Sequence, residues 1–377
     1  MNSPIASARL LKIVHTESSC GWGGQEIRIL TEALGMQRRG HRVTIVTPPE
    51  APIFAAAQKM GIPVVALPIE HKKFKGLFAL RRWLKQHRDI DVLNTHSSTD
   101  SWLVALARLT LCNKCAPIVR TRHVSTHIGT NWPTRWLYQR ATRHIVTTGE
   151  ALKQQLAREN GFDAARMTSI PTGIDLERFR PRDRQEARHQ LGLAPERSYV
   201  GIVATLRNWK GHTYLLQAFA SLSRRYPGWD LLLVGDGPQR HNLEKLIVEL
   251  GLGERVRMFG NREDVERWFN ACDVFTLPSY GEEGVSQSVM QAMASGLPVV
   301  STTVGAIGEA VAHEQTGILI APRDAALLEH SLARLMDDAE LRQRFGTAAR
   351  KRAEDRFGTN AMLGAMEKVF RNCLKET

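Results

Sequence analysis

The 377-residue sequence has few cysteines and no long apolar run. Its five cysteines, Cys20, Cys112, Cys115, Cys272 and Cys373, are odd in number and scattered. That excludes a disulfide framework and suits a reducing cytosol. Cys112-x-x-Cys115 has the spacing of half a zinc site or of a redox pair, but no second ligand pair follows at zinc spacing. No apolar stretch reaches about 18 residues, so no transmembrane helix is expected. The start, MNSPIASARLLKIV, lacks a positive first segment and a long apolar middle, so it does not read as a signal peptide. Acidic residues are scarce in one half only. Residues 1–180 hold 26 Lys and Arg against 13 Asp and Glu, whereas residues 181–377 hold 25 against 25. The whole net charge of +13 therefore lies in the first half. It points to an anionic partner there: a nucleic acid, a phosphorylated glycan or a membrane surface.

What is present is an alternation of short apolar runs with helical stretches. In the first half the runs are Leu10–Thr16, His41–Thr47, Pro63–Ile69, Asp91–His96, Pro117–His123 and His144–Gly149. Helical patterns such as Gln25–Arg38 and Ser101–Leu111 lie between them. The second half repeats the plan with Tyr199–Thr205, Asp230–Gly235, Arg255–Gly260, Asp273–Ser279, Pro298–Thr302 and Gly317–Pro322. Apolar runs of this kind read as strands buried in parallel sheets. The expected fold is α/β, with two doubly wound, Rossmann-like domains. Residues 1–169 form the first domain and residues 182–377 the second, with the last helix packing back on the first. The stretch IPTGIDLERFRP, Ile170 to Pro181, has prolines towards both ends and reads as the linker. Ligands of such sheets bind beyond the carboxyl ends of the strands, so the site is expected in a cleft between the domains.

The first run ends in a glycine cluster, CGWGGQE. A dinucleotide-binding turn needs G-x-G-x-x-G. Here Gly21-x-Gly23 is followed by Gly24, Gln25 and Glu26, and the third glycine is missing. The next strand also ends without an acid for a ribose. These departures argue against a nicotinamide site. They leave either a tight turn with no ligand or a turn whose backbone N–H groups approach an anion at a helix start. In VATLRNWKG, Arg207 and Lys210 lie between a strand and a helix, where two cations can neutralise a diphosphate. In PSYGEEGVSQSVMQAMASGLPVV, Glu283 precedes a small-residue turn, Gly284, Val285 and Ser286, with backbone donors at a helix start. Gln291 lies eight positions on, within the helix.

Together with TRH, IPTGID, LLLVGDGP and TTVGAIGE, these motifs resemble the retaining GT-B glycosyltransferases of family 4 over nearly the whole chain. The resemblance implies a nucleotide diphosphate sugar as co-substrate, no further cofactor and no metal. It implies that Glu283 contacts donor-sugar hydroxyls, that Lys210 holds phosphate and that His123 faces the donor sugar. Gly23 and Gly24 match a loop near the diphosphate and acceptor. Two positions depart from the pattern. Gln291 stands where an acid usually binds the ribose, and it can still donate and accept towards a diol. Thr205 stands where an Arg is usual, five before Lys210, and Arg207 is the candidate replacement.

Other signals leave alternatives open. His96 ends a strand, as a ligand group or as a structural histidine. Asp89-x-Asp91 has the form of a metal motif but lies at the amino end of a strand. The basic stretch His71–Arg88 is either a membrane-surface helix or a helix packed on its own sheet with snorkelling cations. Thr130–His144 mixes aromatic and basic residues, as single-stranded nucleic-acid binders do, but the donor-like second half argues against nucleic acid as the partner. The reading is a cytoplasmic, metal-independent, retaining hexosyltransferase, peripheral on the inner membrane. Its donor is UDP-linked and its acceptor an anionic, lipid-linked glycan such as a lipopolysaccharide core. Rival readings are a soluble glucan synthase, a nucleotide-sugar epimerase and a non-catalytic sugar-nucleotide sensor.

Overall fold

A computed structural model describes residues 9–111, 115–123, 127–281 and 283–375. The chain forms two compact units. One runs to Gly173 and resumes at Thr359; the other is Ile174–Gly358.

The first unit holds seven strands: β1 Lys12–Thr16, β2 Arg42–Thr47, β3 Val64–Ala66, β4 Val92–Thr95, β5 Ile118–Arg122, β6 Thr142–Thr147 and β7 Met167–Ser169. They pair in parallel in the order β3-β2-β1-β4-β5-β6-β7. Helices cover both faces, so the central strands are apolar almost throughout: Ile13, Val14, Ile45, Val46, Val92 and Leu93 are buried. Two details differ from the sequence reading. The run Pro63–Ile69 is strand only over Val64–Ala66: Leu67 N–H still donates to the Thr47 carbonyl at 3.0 Å, but Ile69 N–H turns back to the Leu67 carbonyl at 2.8 Å. Edge strand β7 was not expected, since three mixed residues, Met-Thr-Ser, show no period.

The helix Gly24–Arg38 buries Ile29, Leu30, Ala33 and Met36, one face of a helical repeat. Against it lies the helix Thr359–Lys375, whose Met362, Leu363, Met366 and Phe370 join the same core. The two come close: a Cβ on Gly35 would stand 2.3 Å from Leu363. The helix Phe74–Gln86 buries Leu80 and Leu84 but leaves Phe74 77% and Phe78 64% exposed.

The second unit holds β8 Ser198–Val203, β9 Trp229–Val234, β10 Val256–Met258, β11 Val274–Leu277, β12 Val299–Thr302 and β13 Gly317–Ile320. All are parallel, in the order β10-β9-β8-β11-β12-β13. In each sheet the order reverses at the first strand, between β1 and β4 and between β8 and β11. The carboxyl ends there open into a crevice, which is where ligands of such sheets bind.

Candidate active site

In the second unit, two loops meet at the β8/β11 reversal. The loop after β8 carries Arg207 and Lys210 and ends at Gly211, before the helix His212–Arg225. The loop after β11 carries Glu283 and leads through Gly284, Val285 and Ser286 into the helix Gln287–Ala294. Gly211 lets them approach. It has φ of 79°, and a Cβ there would lie 1.9 Å from the Pro278 carbonyl oxygen. The GDGP turn braces the first loop, since Leu206 N–H donates to the Asp236 carbonyl at 3.0 Å.

The structure brings Lys210 and Glu283 together. Lys210 Nζ donates to Glu283 Oε1 at 2.6 Å, and Ser279 Oγ donates to the same oxygen at 2.8 Å. Glu283 is 9% exposed. Its main-chain carbonyl accepts from Ala306 N–H at 2.9 Å, which anchors the loop that carries the carboxylate. Arg207 is exposed, with its guanidinium 5.1 Å from the Trp209 ring centre. Val285 and Ser286 are buried, Ser286 as the residue preceding the helix. Gln291 is half-buried on that helix.

In the first unit, polar side chains gather at the β1/β4 reversal. His15 on β1, His96 after β4 and His123 after β5 form a chain of rings. His15 Nδ1 lies 2.9 Å from His96 Nε2, and His96 Nδ1 lies 2.9 Å from His123 Nε2. His15 and His96 are buried and His123 is half-buried. Burial, with the Arg28 guanidinium nearby, lowers His15 to about 3. Burial and the neighbouring histidines and arginines hold His96 and His123 well below the usual range. All three rings are therefore neutral near pH 7.

A carboxyl lies on each side of this chain. Glu32, raised by burial to about 7, accepts from Asn94 Nδ2 at 3.2 Å and has Arg28 Nε at 3.8 Å. Asp100, raised by burial to about 6, accepts from Thr16 Oγ1 and from the His96 backbone N–H. Beyond Asp100 sits Glu17, raised to about 8 by burial and by Asp100. It accepts from Ser19 N–H at 2.7 Å, and also from Ser97 Oγ and Gln25 Nε2. Glu17 thus ties the glycine loop to β1 and to the helix Ser98–Thr110.

Gly23 precedes the helix Gly24–Arg38 with φ of −177°, an extended conformation open to any residue, and a Cβ there would touch Glu26 only at 3.7 Å. The local backbone does not demand this glycine. The sequence reading singled out His123, His96, Gly23 and Gly24. It assigned no role to His15, Glu17, Gln25 or Glu32. His15 and Glu17 could have been found by applying the strand-end rule used for His96; Glu32 lies within a helix and gives no such signal.

Other expected candidates fall elsewhere. Asp91 accepts from the Lys12 backbone N–H and pairs with Arg9, while Asp89 pairs with Lys12. Both acids are thus engaged by cations at the amino end of β1 and β4. Tyr138 is buried and stacks on Phe162, and Trp136 stacks on Trp102, so much of the basic–aromatic stretch is core packing. Cys112 lies outside the described residues. Among the described residues, no group of three or more His, Cys, Asp or Glu is placed to hold a metal ion. No helix among them is long and apolar enough to cross a membrane.

Comparison with known proteins agrees with this architecture. Residues 183–352 match the family Glycosyl transferases group 1, and residues 22–178 match Glycosyltransferase Family 4. The chain is 29% identical over 370 residues to a D-inositol 3-phosphate glycosyltransferase of Nocardia farcinica, covering 87% of this chain and 80% of that protein. It is 31% identical over 217 residues to the lipopolysaccharide core biosynthesis mannosyltransferase LpsB of Rhizobium meliloti, covering 55% of this chain and 59% of that one. Among solved structures, Anabaena HepE in complex with UDP superimposes with a TM-score of 0.84 at 21% identity, over 96% of this chain and 100% of that one. One glycosyltransferase family model thus matches each half of the chain, and the two parallel sheets have the GT-B architecture of such proteins.

Proposed function

We propose that the chain transfers a hexose from a UDP-linked donor, with retention at the anomeric carbon, to an anionic glycan acceptor at a membrane surface, such as a lipopolysaccharide core. The observation that carries this reading is the Lys210–Glu283 pair at the β8/β11 reversal. A cation and a carboxylate held side by side suit a ligand that is anionic at one end and hydroxylated at the other. Lys210 and Arg207 take the diphosphate, Glu283 and the turn Gly284–Ser286 take the sugar, and Gln291 takes the ribose. The fold likeness to a UDP-bound protein supports the choice of base.

In this reading the acceptor oxygen attacks the anomeric carbon from the face that the diphosphate leaves. The departing diphosphate oxygen takes the acceptor proton. Lys210, Arg207 and backbone N–H groups stabilise its growing charge, so no protein nucleophile and no metal are required. In the first unit, His123 meets a sugar hydroxyl. Gly23 and Gly24 leave room for a ligand against the backbone.

The charge excess of the first half supports an anionic acceptor, and the Nocardia relative's name carries a phosphate. Phe74 and Phe78 stand exposed among Lys72, Lys73 and Lys75, a pattern suited to an anionic lipid surface on the cytoplasmic side. A second reading, favoured by the Nocardia relative, is a small soluble polyol phosphate as acceptor. Incubation with UDP-hexoses and either acceptor, with and without chelator, tests both. The expected product keeps the donor's anomeric configuration and forms in chelator. An inverted product, or none with either acceptor, overturns the proposal.

A further inference from the structure

We propose that His15 and His96 are positioning residues that set the tautomer of His123, with Glu32 choosing the direction of the chain. The number of protons limits how the three rings can be arranged. A neutral imidazole carries one N–H and one bare nitrogen. Two consecutive N···N hydrogen bonds through three such rings leave only two arrangements. Either every ring donates towards His123 or every ring donates towards His15.

The far end decides between them. His15 Nε2 makes no hydrogen bond and lies 4.0 Å from Glu32 Oε1. When Glu32 is a carboxylate, it favours a proton on His15 Nε2. His15 Nδ1 then accepts from His96, His96 Nδ1 accepts from His123 Nε2–H, and His123 Nδ1 is bare. When Glu32 is neutral, the bare nitrogen can sit on His15 Nε2. Every bond then reverses, and His123 Nδ1 carries the proton. The group offered to a ligand hydroxyl thus changes from acceptor to donor with no change in ring positions.

The surroundings allow both settings. Burial places Glu32 at about 7. The charged and titratable groups facing the chain are Arg28 and Glu32 on the helix Gly24–Arg38, Asp100 on the helix Ser98–Thr110, and Arg120 on β5. Burial, reinforced by the two arginines, keeps the rings neutral, which preserves the one-proton count. Asp100 contacts the His96 backbone rather than its ring, so it does not compete for either ring nitrogen.

The consequence for transfer rests on the proposed function, but the relay is tested without activity. Long-range proton–nitrogen spectra of the full chain, labelled in histidine, report which nitrogen of His123 is protonated. His123→Gln assigns its signals. From about pH 6 to about pH 8.5, on either side of the Glu32 value of about 7, the protonated nitrogen of His123 should change from Nδ1 to Nε2. Glu32→Gln should hold it at Nδ1 throughout, and His15→Phe should abolish its response to pH. One fixed tautomer of His123 across this range in the parent chain overturns the proposal, whatever the variants do. In transfer assays His15→Phe should lower kcat about 10- to 100-fold with KM little changed, as loss of partners that orient a histidine does elsewhere. Spectra that show the switch, in a chain that transfers no sugar, leave the relay standing and remove the proposed function.

Discussion

At its sheet reversal the first unit gathers a network of neutral side chains, whereas the second unit sets a lysine beside a carboxylate. At β1/β4 the side chains of His15, Glu17, Glu32, His96 and Asp100 are buried, and burial drives each towards its neutral form. At β8/β11 a full ion pair, Lys210 with Glu283, sits where glycine brings two loops together. One strand order therefore supports two kinds of site. Neutral networks place donors and acceptors at fixed atoms and suit hydroxyl recognition. Paired charges suit an anion that must be held and then released. The lopsided charge adds a third contrast, because the basic excess belongs to the half with the neutral network.

The largest expected effect concerns stability against pH. Glu17 has a folded value of about 8 against 4.5 when free. The unfolded chain loses that proton first, so this contribution is present below pH 4.5 and is lost as pH rises towards 8. His15 acts in the opposite window. The unfolded chain binds its proton first, so stability falls as pH drops from 6.5 towards 3. In the second unit, His212, lowered by burial to about 4, gives an acid loss of the same sign. Calorimetry across this range should show Glu17→Gln flattening the alkaline loss. An unchanged slope would mean that Glu17 is ionised in the folded chain.

Next in size is the lipid surface. Reversing Lys72, Lys73 and Lys75 to Glu should cost about 1 kcal/mol for each lysine lost in binding to anionic vesicles. The loss should shrink as salt rises. Equal flotation of parent and variant would leave the charge excess to the acceptor alone. Lys210→Ala should then lower kcat/KM by about 1.5–3 kcal/mol, roughly 10- to 150-fold, as loss of a charge-assisted donor does. Glu283→Ala should impair transfer yet leave binding of bare UDP nearly intact; the reverse pattern in titration calorimetry would exchange the sugar and ribose assignments. The smallest effect is expected from Gln291→Ala. It should weaken UDP binding by about 0.5–1.5 kcal/mol, the range of one neutral hydrogen bond.

Much of this contrast was legible in the sequence. Apolar runs placed 12 of the 13 strands, because strands buried on both faces have little polar sequence to blur them. Glu283 and Lys210 were legible through short motifs tied to loops. The histidine chain was not, although His96 and His123 were each noticed. Its members lie on or just after three strands that become neighbours only after the order β1-β4-β5 is formed. Glu32 is hidden for another reason. A helical acid reads as solvated surface, and only packing against β1 and β4 buries it. The helix Phe74–Gln86 was half legible: its apolar residues were visible, but only packing separated buried Leu80 and Leu84 from exposed Phe74 and Phe78.

The return of the helix Thr359–Lys375 to the first unit has a consequence for synthesis. Residues 174–358 are contiguous, so the second unit emerges from the ribosome with its core complete. The first unit begins earlier and finishes later. Until Met362, Leu363, Met366 and Phe370 emerge, Ile29, Ala33 and Val43 lack the partners that complete their side of its core. The first-made half of the chain must wait, with apolar surface open to chaperones, while the second-made half folds ahead of it.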